Sequence, residues 1–228
     1  MGASPIVLIH EDDDLIVVDK AAGIEVDNES VSRPTNILNV IPRSFPALSS
    51  VPITLVHRID KYTSGLVVLA KTAAAGASLE KQFRTRTVEK EYHAIVQGRV
   101  ARDTGVMAGP IGRDPKMPKR FAVIRGGKPA FSAYTVLSRL TGHTLLALFP
   151  KTGRTHQLRV HCAQMGHPII GDRLYSKRAG DYAMKGFALI AKKITFDHPS
   201  TGKRVSFETE YPDEFKRMCA FFSVSSRP

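Results

Sequence analysis

Asp60 stands in a short polar stretch, His57-Arg58-Ile59-Asp60-Lys61-Tyr62-Thr63-Ser64-Gly65, between the apolar runs 53–56 and 66–70. A polar segment held between two buried strands can keep one reactive side chain in place. Two other residues could join it. Tyr92 lies on the apolar face of a predicted strand, where its ring can fill core or stack on a planar ligand. Arg159 lies in the first turns of a predicted helix, beside apolar Leu158, where a guanidinium needs a partner. A carboxylate is the best one, bidentate and charge-assisted. An aspartate held by an arginine stays ionised at neutral pH, which suits a nucleophile or a base and not a general acid. The competing account makes Asp60 a turn-capping ion pair, Arg159 a surface helix residue and Tyr92 a packed strand tyrosine.

The elements that must carry these residues are legible from pattern. Segments 6–9 and 15–19 read as strands around the acidic turn Glu11-Asp12-Asp13-Asp14, a hairpin signal. Segment 27–51 is rich in Ser and Pro, with Thr35 placed to cap a short helix through Ile41. Lys71-Thr72 opens a helix in which Ala75, Leu79 and Phe83 recur at i, i+4 and i+8. Segment 88–96 alternates as a strand, with Tyr92, Ala94 and Val96 on the apolar side. Further strands are predicted at 133–137, 144–149, 187–191, 194–197 and 204–209. Thr155 is placed to cap a helix through Met165, stopped by Gly166, with Leu158, Cys162 and Met165 inward. Strands outnumber helices and several neighbours are hairpin-linked, so the pattern predicts an α+β domain on a mainly antiparallel sheet.

Composition narrows the partners. Lys and Arg number 33 against 21 Asp and Glu, a net charge of +12, which points to a polyanion such as nucleic acid. Arg113, Lys116, Lys119, Arg120, Arg125 and Lys128 face a single acid, Asp114, in a Pro- and Gly-rich stretch with at most a short strand at 121–124. A solubilising surface loop is the plainer account of that stretch. No apolar run approaches the length of a membrane span. The first residues lack the basic-then-apolar plan of a signal peptide, so a cytoplasmic protein with reduced Cys162 and Cys219 is expected. His156, His161 and His167 are not at ligand spacing, and no G-x-G-x-x-G or Walker-type loop follows a strand. Metal, NTP and dinucleotide chemistry are therefore disfavoured, and no cofactor is expected.

Taken in order, the motifs resemble the RluA-type RNA pseudouridine synthases. The resemblance is carried by His57-Arg58-Ile59-Asp60 with Thr63-Ser64-Gly65, and by Lys90-x-Tyr92-x-Ala94-x-Val96-x-Gly98. The run from Thr152-Gly153-Arg154-Thr155-His156-Gln157-Leu158-Arg159 through Gly171-Asp172 is the most specific block, and His198-Pro199-x-x-Gly202 is the last. Glu11-Asp12-x-x-Leu15 through Lys20 and Gly23 also fits, while Ile59, Ala21-Ala22 and Ile190 depart from the usual residues. The resemblance implies the pseudouridine synthase catalytic fold over 1–228, with a core at 6–212 and a tail at 213–228. It also implies a compact form without a preceding S4-type module.

The resemblance further implies a cofactor-free isomerase acting, as a monomer, on uridines in stem-loops of rRNA or tRNA. Asp60 would be the catalytic aspartate, Tyr92 would pack on the flipped uracil, and Arg159 would pair with Asp60. Arg58 would enter the gap left in the RNA stack. His57, Arg154, His156, Lys119 and Arg120 complete the expected RNA contacts. His57 and His161 are equally suited to holding backbone or neighbouring side chains, and Arg154 and His156 to capping a helix. A non-catalytic RNA-binding factor on the same fold is the alternative class. A glycoside hydrolase is disfavoured because only one acid sits in a motif.

Overall fold

Leu15-Ile16-Val17-Val18 and Leu66-Val67-Val68-Leu69-Ala70 lack polar alternation, as suits strands covered on both faces. The computed structural model describes residues 5–182 and 184–224 and places both runs in the first of two compact units, Met1–Glu89 with Ala191–Glu210. Its elements are β1 (Ile6–Glu11), β2 (Leu15–Lys20), α1 (Ile37–Ser44), β3 (Thr54–Leu55), β4 (Ser64–Ala70) and α2 (Ala73–Thr85). The unit is completed by β10 (Leu189–Asp197), which belongs to it from Ala191 onward, and β11 (Arg204–Glu208). Strand order is β1-β2-β4-β10, with β3 on β4 and β11 on β10.

The antiparallel register Leu15↔Ala70, Val17↔Val68 and Asp19↔Leu66 puts Leu15, Val17, Leu66, Val68 and Ala70 on one face. There they pack with Ala75 and Leu79 of α2 and with Ile194 and Phe196. Ile16, Val18, Val67 and Leu69, on the other face, are fully buried as well. The acidic turn forms the predicted hairpin. Asp12 caps it by accepting from the backbone N–H of Asp14 at 2.8 Å and of Leu15 at 3.0 Å.

The second unit, Lys90–Ile190 with Tyr211–Pro228, holds β5 (Glu89–Gln97), β6 (Thr104–Arg113), β7 (Phe121–Val123), β8 (Lys128–Leu140), β9 (His143–Pro150), α3 (Gln157–Gln164) and α4 (Asp213–Val224). Its strands run in the order β5-β9-β8-β6-β7 with antiparallel ladders. The core gathers Ala94 and Val96 with Leu146, Leu148, Leu158, Cys162, Ile170, Phe187, Phe215 and Phe222.

The α+β class and antiparallel ladders agree with the sequence pattern, while several local expectations need correction. The cap of α1 is Asn36, whose side chain accepts from Leu38 N, because the Thr35 hydroxyl is committed to Glu25. The cap position of α3 is His156, in the left-handed region at φ 57° and without a side-chain cap bond, so Thr155 does not cap. β5 does not alternate cleanly, since residues 93–96 are buried on both faces. The two segments predicted at 187–191 and 194–197 form one strand across Lys192 and Lys193. β6 was not expected at all. Residues 213–224, expected as a tail, form α4, which buries Phe215 and Phe222.

Candidate active site

Asp60 opens a tight turn in which its carbonyl accepts the Thr63 N–H at 3.0 Å, just ahead of β4. The turn is gripped from beneath. The Lys61 carbonyl receives the Gly23 N–H at 2.8 Å and the Lys20 ammonium at 3.1 Å. Lys20 Nζ also donates to Thr63 O at 2.5 Å and Ala21 O at 3.4 Å. Three ammonium protons thus meet three carbonyls, and Lys20 is 0% exposed. A lysine can be buried this deeply only when its donors are met. Burial pulls its ammonium down to about 7 from 10.5, opposed by the nearby Asp60 carboxylate and then by Asp19. The sequence motif contained Lys20, but nothing in its local pattern marked it as the floor of the Asp60 turn.

Glu25 grips the same turn from the side. One carboxylate oxygen accepts from Lys61 Nζ at 3.0 Å and from Arg33 Nη1 at 2.7 Å, and the other accepts from Thr35 Oγ1 at 2.7 Å. The Thr35 hydrogen bond, followed by Lys61 and Arg33, outweighs burial and lowers Glu25 to about 2. At Gly65, φ is 103° and a Cβ would fall 2.4 Å from the Ala191 carbonyl, so only glycine lets β4 begin there. His57 Nε2 accepts the Val68 N–H at 2.9 Å, and its ring stacks on Phe83 at 4.6 Å. The lead-in to Asp60 is fastened by these contacts, while Arg58 is exposed.

Glu25→Gln is expected to lower turnover about ten-fold by loosening Lys61, because a neutral amide holds two cations poorly. Because the folded pKa is depressed, this carboxylate adds stability that is full above about pH 4.5 and is lost as pH falls through about 2. Denaturant midpoints of wild type and variant should therefore diverge above pH 4.5 and converge towards pH 2.

On the second unit, Arg159 is 5% exposed and pairs, within that unit, with the carboxylate of Asp172, 1% exposed, in the segment after α3. Nε donates to Oδ2 at 2.7 Å and Nη2 to Oδ1 at 3.0 Å, a bidentate pair. The guanidinium also lies over the rings of Phe187 at 4.4 Å and Tyr175 at 5.0 Å. Asp172 was visible in the sequence only as the end of a motif. Tyr92, in β5, is half-buried and packs against the core of the unit. Cys162 is buried beside this pair, and burial with the Asp172 charge pushes its thiol up to about 12. The thiol is inert at neutral pH, and both cysteines are free.

Gln157 organises the loop before α3. Its carbonyl oxygen accepts from Thr152 Oγ1 at 2.7 Å and the Arg154 N–H at 3.0 Å. Its amide donates to Phe131 O at 3.0 Å and Ser132 Oγ at 2.9 Å. Arg154, with Nε on the Pro129 carbonyl at 3.1 Å, and half-buried His156 are carried on that loop. His161 is fully buried with Nδ1 3.0 Å from Ser132 Oγ, and burial lowers it to about 4, so it is neutral and structural.

The first part of the basic stretch, 114–120, forms the β6–β7 hairpin tip, while Arg125 lies between β7 and β8 and Lys128 begins β8. Asp114 N donates to Arg120 O at 2.9 Å and Arg120 N to Met117 O at 2.8 Å, which leaves Lys116 and Lys119 exposed. The structure thus groups His57, Arg58 and Asp60 on the first unit, and Tyr92, Lys119, Arg120, Arg154, His156 and Arg159 on the second.

Asp12, Asp14 and His198 bring one possible ligand atom each within 4.8 Å of one another. The Asp12 carboxylate is already taken by His10 at 2.7 Å and His198 at 2.9 Å, so the group reads as a clasp between hairpin turns. Among the described residues no helix is long and apolar enough to cross a membrane.

The model of the RNA pseudouridylate synthase family matches residues 14–164, which include Lys20, Asp60, Tyr92 and Arg159. The chain belongs to this family. It is 40% identical over 220 residues to the ribosomal large subunit pseudouridine synthase D of Nitrosomonas europaea, covering 93% of this chain and 64% of that protein. The enzyme of the same name from Neisseria meningitidis serogroup A is 41% identical over 231 residues, covering 96% of this chain and 62% of its own. The chain therefore spans less than two thirds of the length of both relatives. Human RNA pseudouridylate synthase domain containing 1 superposes with a TM-score of 0.78 at 25% identity, covering 93% of this chain and 86% of that one. The fold inferred from the motifs is the family's fold.

Proposed function

We propose that this chain is an RNA pseudouridine synthase that isomerises uridines in large-subunit ribosomal RNA. The reading is carried by one observation. The family's aspartate is present as Asp60, in a turn fastened by Lys20, Gly23 and Glu25. In this reaction the bond from ribose C1′ to uracil N1 breaks, the base turns, and C1′ bonds to C5. The hydrogen of C5 is lost and N1 gains one, so no co-reactant is consumed. Asp60 serves as nucleophile at C1′ or as the base that removes a ribose proton. Tyr92 gives the flipped uracil a flat wall, and Arg159 completes the site as the charge partner of Asp60. Arg58 enters the stack vacated by the base. His57, Arg154, His156, Lys119 and Arg120 hold the strand, mainly through phosphates. A cytoplasmic enzyme fits that substrate.

The test is tritium release from ribosomal RNA transcripts labelled at C5 of uridine, with carbodiimide mapping of the product. Release at defined uridines is expected. Binding without release on rRNA and tRNA alike would instead identify a non-catalytic RNA-binding factor.

The basic hairpin adds a second expectation. Lys119→Ala should raise KM about five-fold with kcat within two-fold, since it removes a phosphate contact and not a reacting group. The slope of log KM against log salt should become shallower by about one. An unchanged slope would place Lys119 off the RNA path.

A further inference from the structure

Tyr175 joins three parts of the second unit through one phenol. It lies three residues after Asp172 and is half-buried. Its hydroxyl accepts the Phe121 N–H, the first residue of β7, at 2.9 Å. The same oxygen is 2.8 Å from Nδ1 of His156, the cap position of α3. The hydroxyl thus joins the first residue of β7 to the His156 ring, with the His156 tautomer deciding which of the two side chains donates. The ring carries two guanidiniums, with Cζ of Arg120 at 5.2 Å and Cζ of Arg159 at 5.0 Å from its centroid. Arg120 closes the tip of the basic hairpin through its backbone, and Arg159 is the arginine of the bidentate Asp172 pair.

Each contact could be ordinary packing. Their combination is less ordinary, because the parts joined are the ones assigned to substrate: the basic hairpin, the loop with Arg154 and His156, and Arg159. Within this unit Arg159 is otherwise restrained by Asp172 in the guanidinium plane and by the Phe187 ring at 4.4 Å. The Tyr175 ring is thus an aromatic wall against that guanidinium, and its hydroxyl is tied to the strand that begins at Phe121.

We propose that Tyr175 is a positioning residue that couples RNA held by the basic hairpin to the orientation of Arg159. The inference rests on the synthase reading. In it the hydroxyl and the ring have separable duties. The hydroxyl sets the hairpin and the His156 loop, and so acts on RNA affinity. The ring sets Arg159, and so acts on the chemical step.

The experiment compares wild type, Tyr175→Phe and Tyr175→Leu by steady-state tritium release and by direct RNA binding, with thermal melts to establish folding. Tyr175→Phe keeps the ring but loses the hydroxyl's hydrogen bonds to Phe121 and His156, and should raise KM and Kd about five-fold with kcat within two-fold. Tyr175→Leu should show the same KM rise and also lower kcat about ten-fold, since the cation–ring contact is gone. Equal losses of kcat in the two variants, or KM and kcat unchanged in both, would overturn the division of duties. Losses that follow only the folded fraction in the melts would overturn it too, by reducing Tyr175 to packing. Wild type that binds RNA but releases no tritium would overturn the synthase reading itself, a result distinct from active wild type with unaffected variants.

Discussion

Asp60→Asn should abolish pseudouridine formation, a loss of about 10⁴-fold or more in kcat, while RNA affinity stays within about two-fold. The amide keeps the volume and the backbone turn, in which the Asp60 carbonyl, not the side chain, receives the Thr63 N–H. What disappears is the anion. An amide can neither attack C1′ nor remove a ribose proton, so both candidate roles end together. Binding should survive because phosphate contacts belong to other residues and set position, not chemistry. A rise in Kd as large as the fall in kcat would show Asp60 acting in binding. Residual turnover near wild type would remove it from the mechanism. Stability should change in a particular direction as well. Asp60 is the largest influence that holds the Lys20 ammonium in its charged form, so the variant should pull the lysine lower still.

What could be read from sequence followed local pattern, and what could not was settled by contacts far along the chain. α2 was legible because Ala75, Leu79 and Phe83 repeat every turn and Thr72 does cap it, accepting the Ala75 N–H at 3.1 Å. The caps of α1 and α3 were not. Thr35 is drawn to Glu25, ten residues away, and the turn before α3 is built by the Gln157 side chain reaching back to Arg154 N. β6 hides in Thr-Gly-Val-Met-Ala-Gly-Pro-Ile-Gly-Arg, whose glycines and proline read as loop until β8 pairs with Thr104 to Ile111. α4 was taken for a tail because its two core residues, Phe215 and Phe222, are a full two turns apart with charge between them. For the candidate site, motif order proposed Asp60, Tyr92 and Arg159. It did not disclose Lys20, Glu25 or Asp172, since a charged residue at a strand end or in a loop is usually solvated. Only the closed fold shows Lys20 and Asp172 with their donors and acceptors met indoors.

That burial makes Lys20 the second large lever. Lys20→Met keeps most of the stem volume but withdraws three donors at once. The carbonyls of Thr63 and Lys61 then lose their ammonium partner, and the Asp60 turn is left to the Gly23 N–H and the Glu25–Lys61 pair. Unmet buried carbonyls and a lost charge partner together cost about 2–4 kcal/mol. Turnover should fall about 10²-fold, because small misplacements of a catalytic group are costly. RNA affinity should change little. The pH dependence separates this account from generic damage. Burial lowers Lys20 from 10.5 to about 7, so between those values the unfolded chain binds more protons than the folded one. Stability from this group therefore rises with pH over that window. Its penalty is full below pH 7 and gone above about 10.5. Wild type minus Lys20→Met should thus shift in favour of wild type as pH is raised from 7 to 10. Equilibrium denaturation of both proteins across that range measures it. A difference that stays flat would mean that Lys20 keeps an ordinary lysine pKa in the folded chain, so that its three carbonyls and Asp60 outweigh the cost of burial.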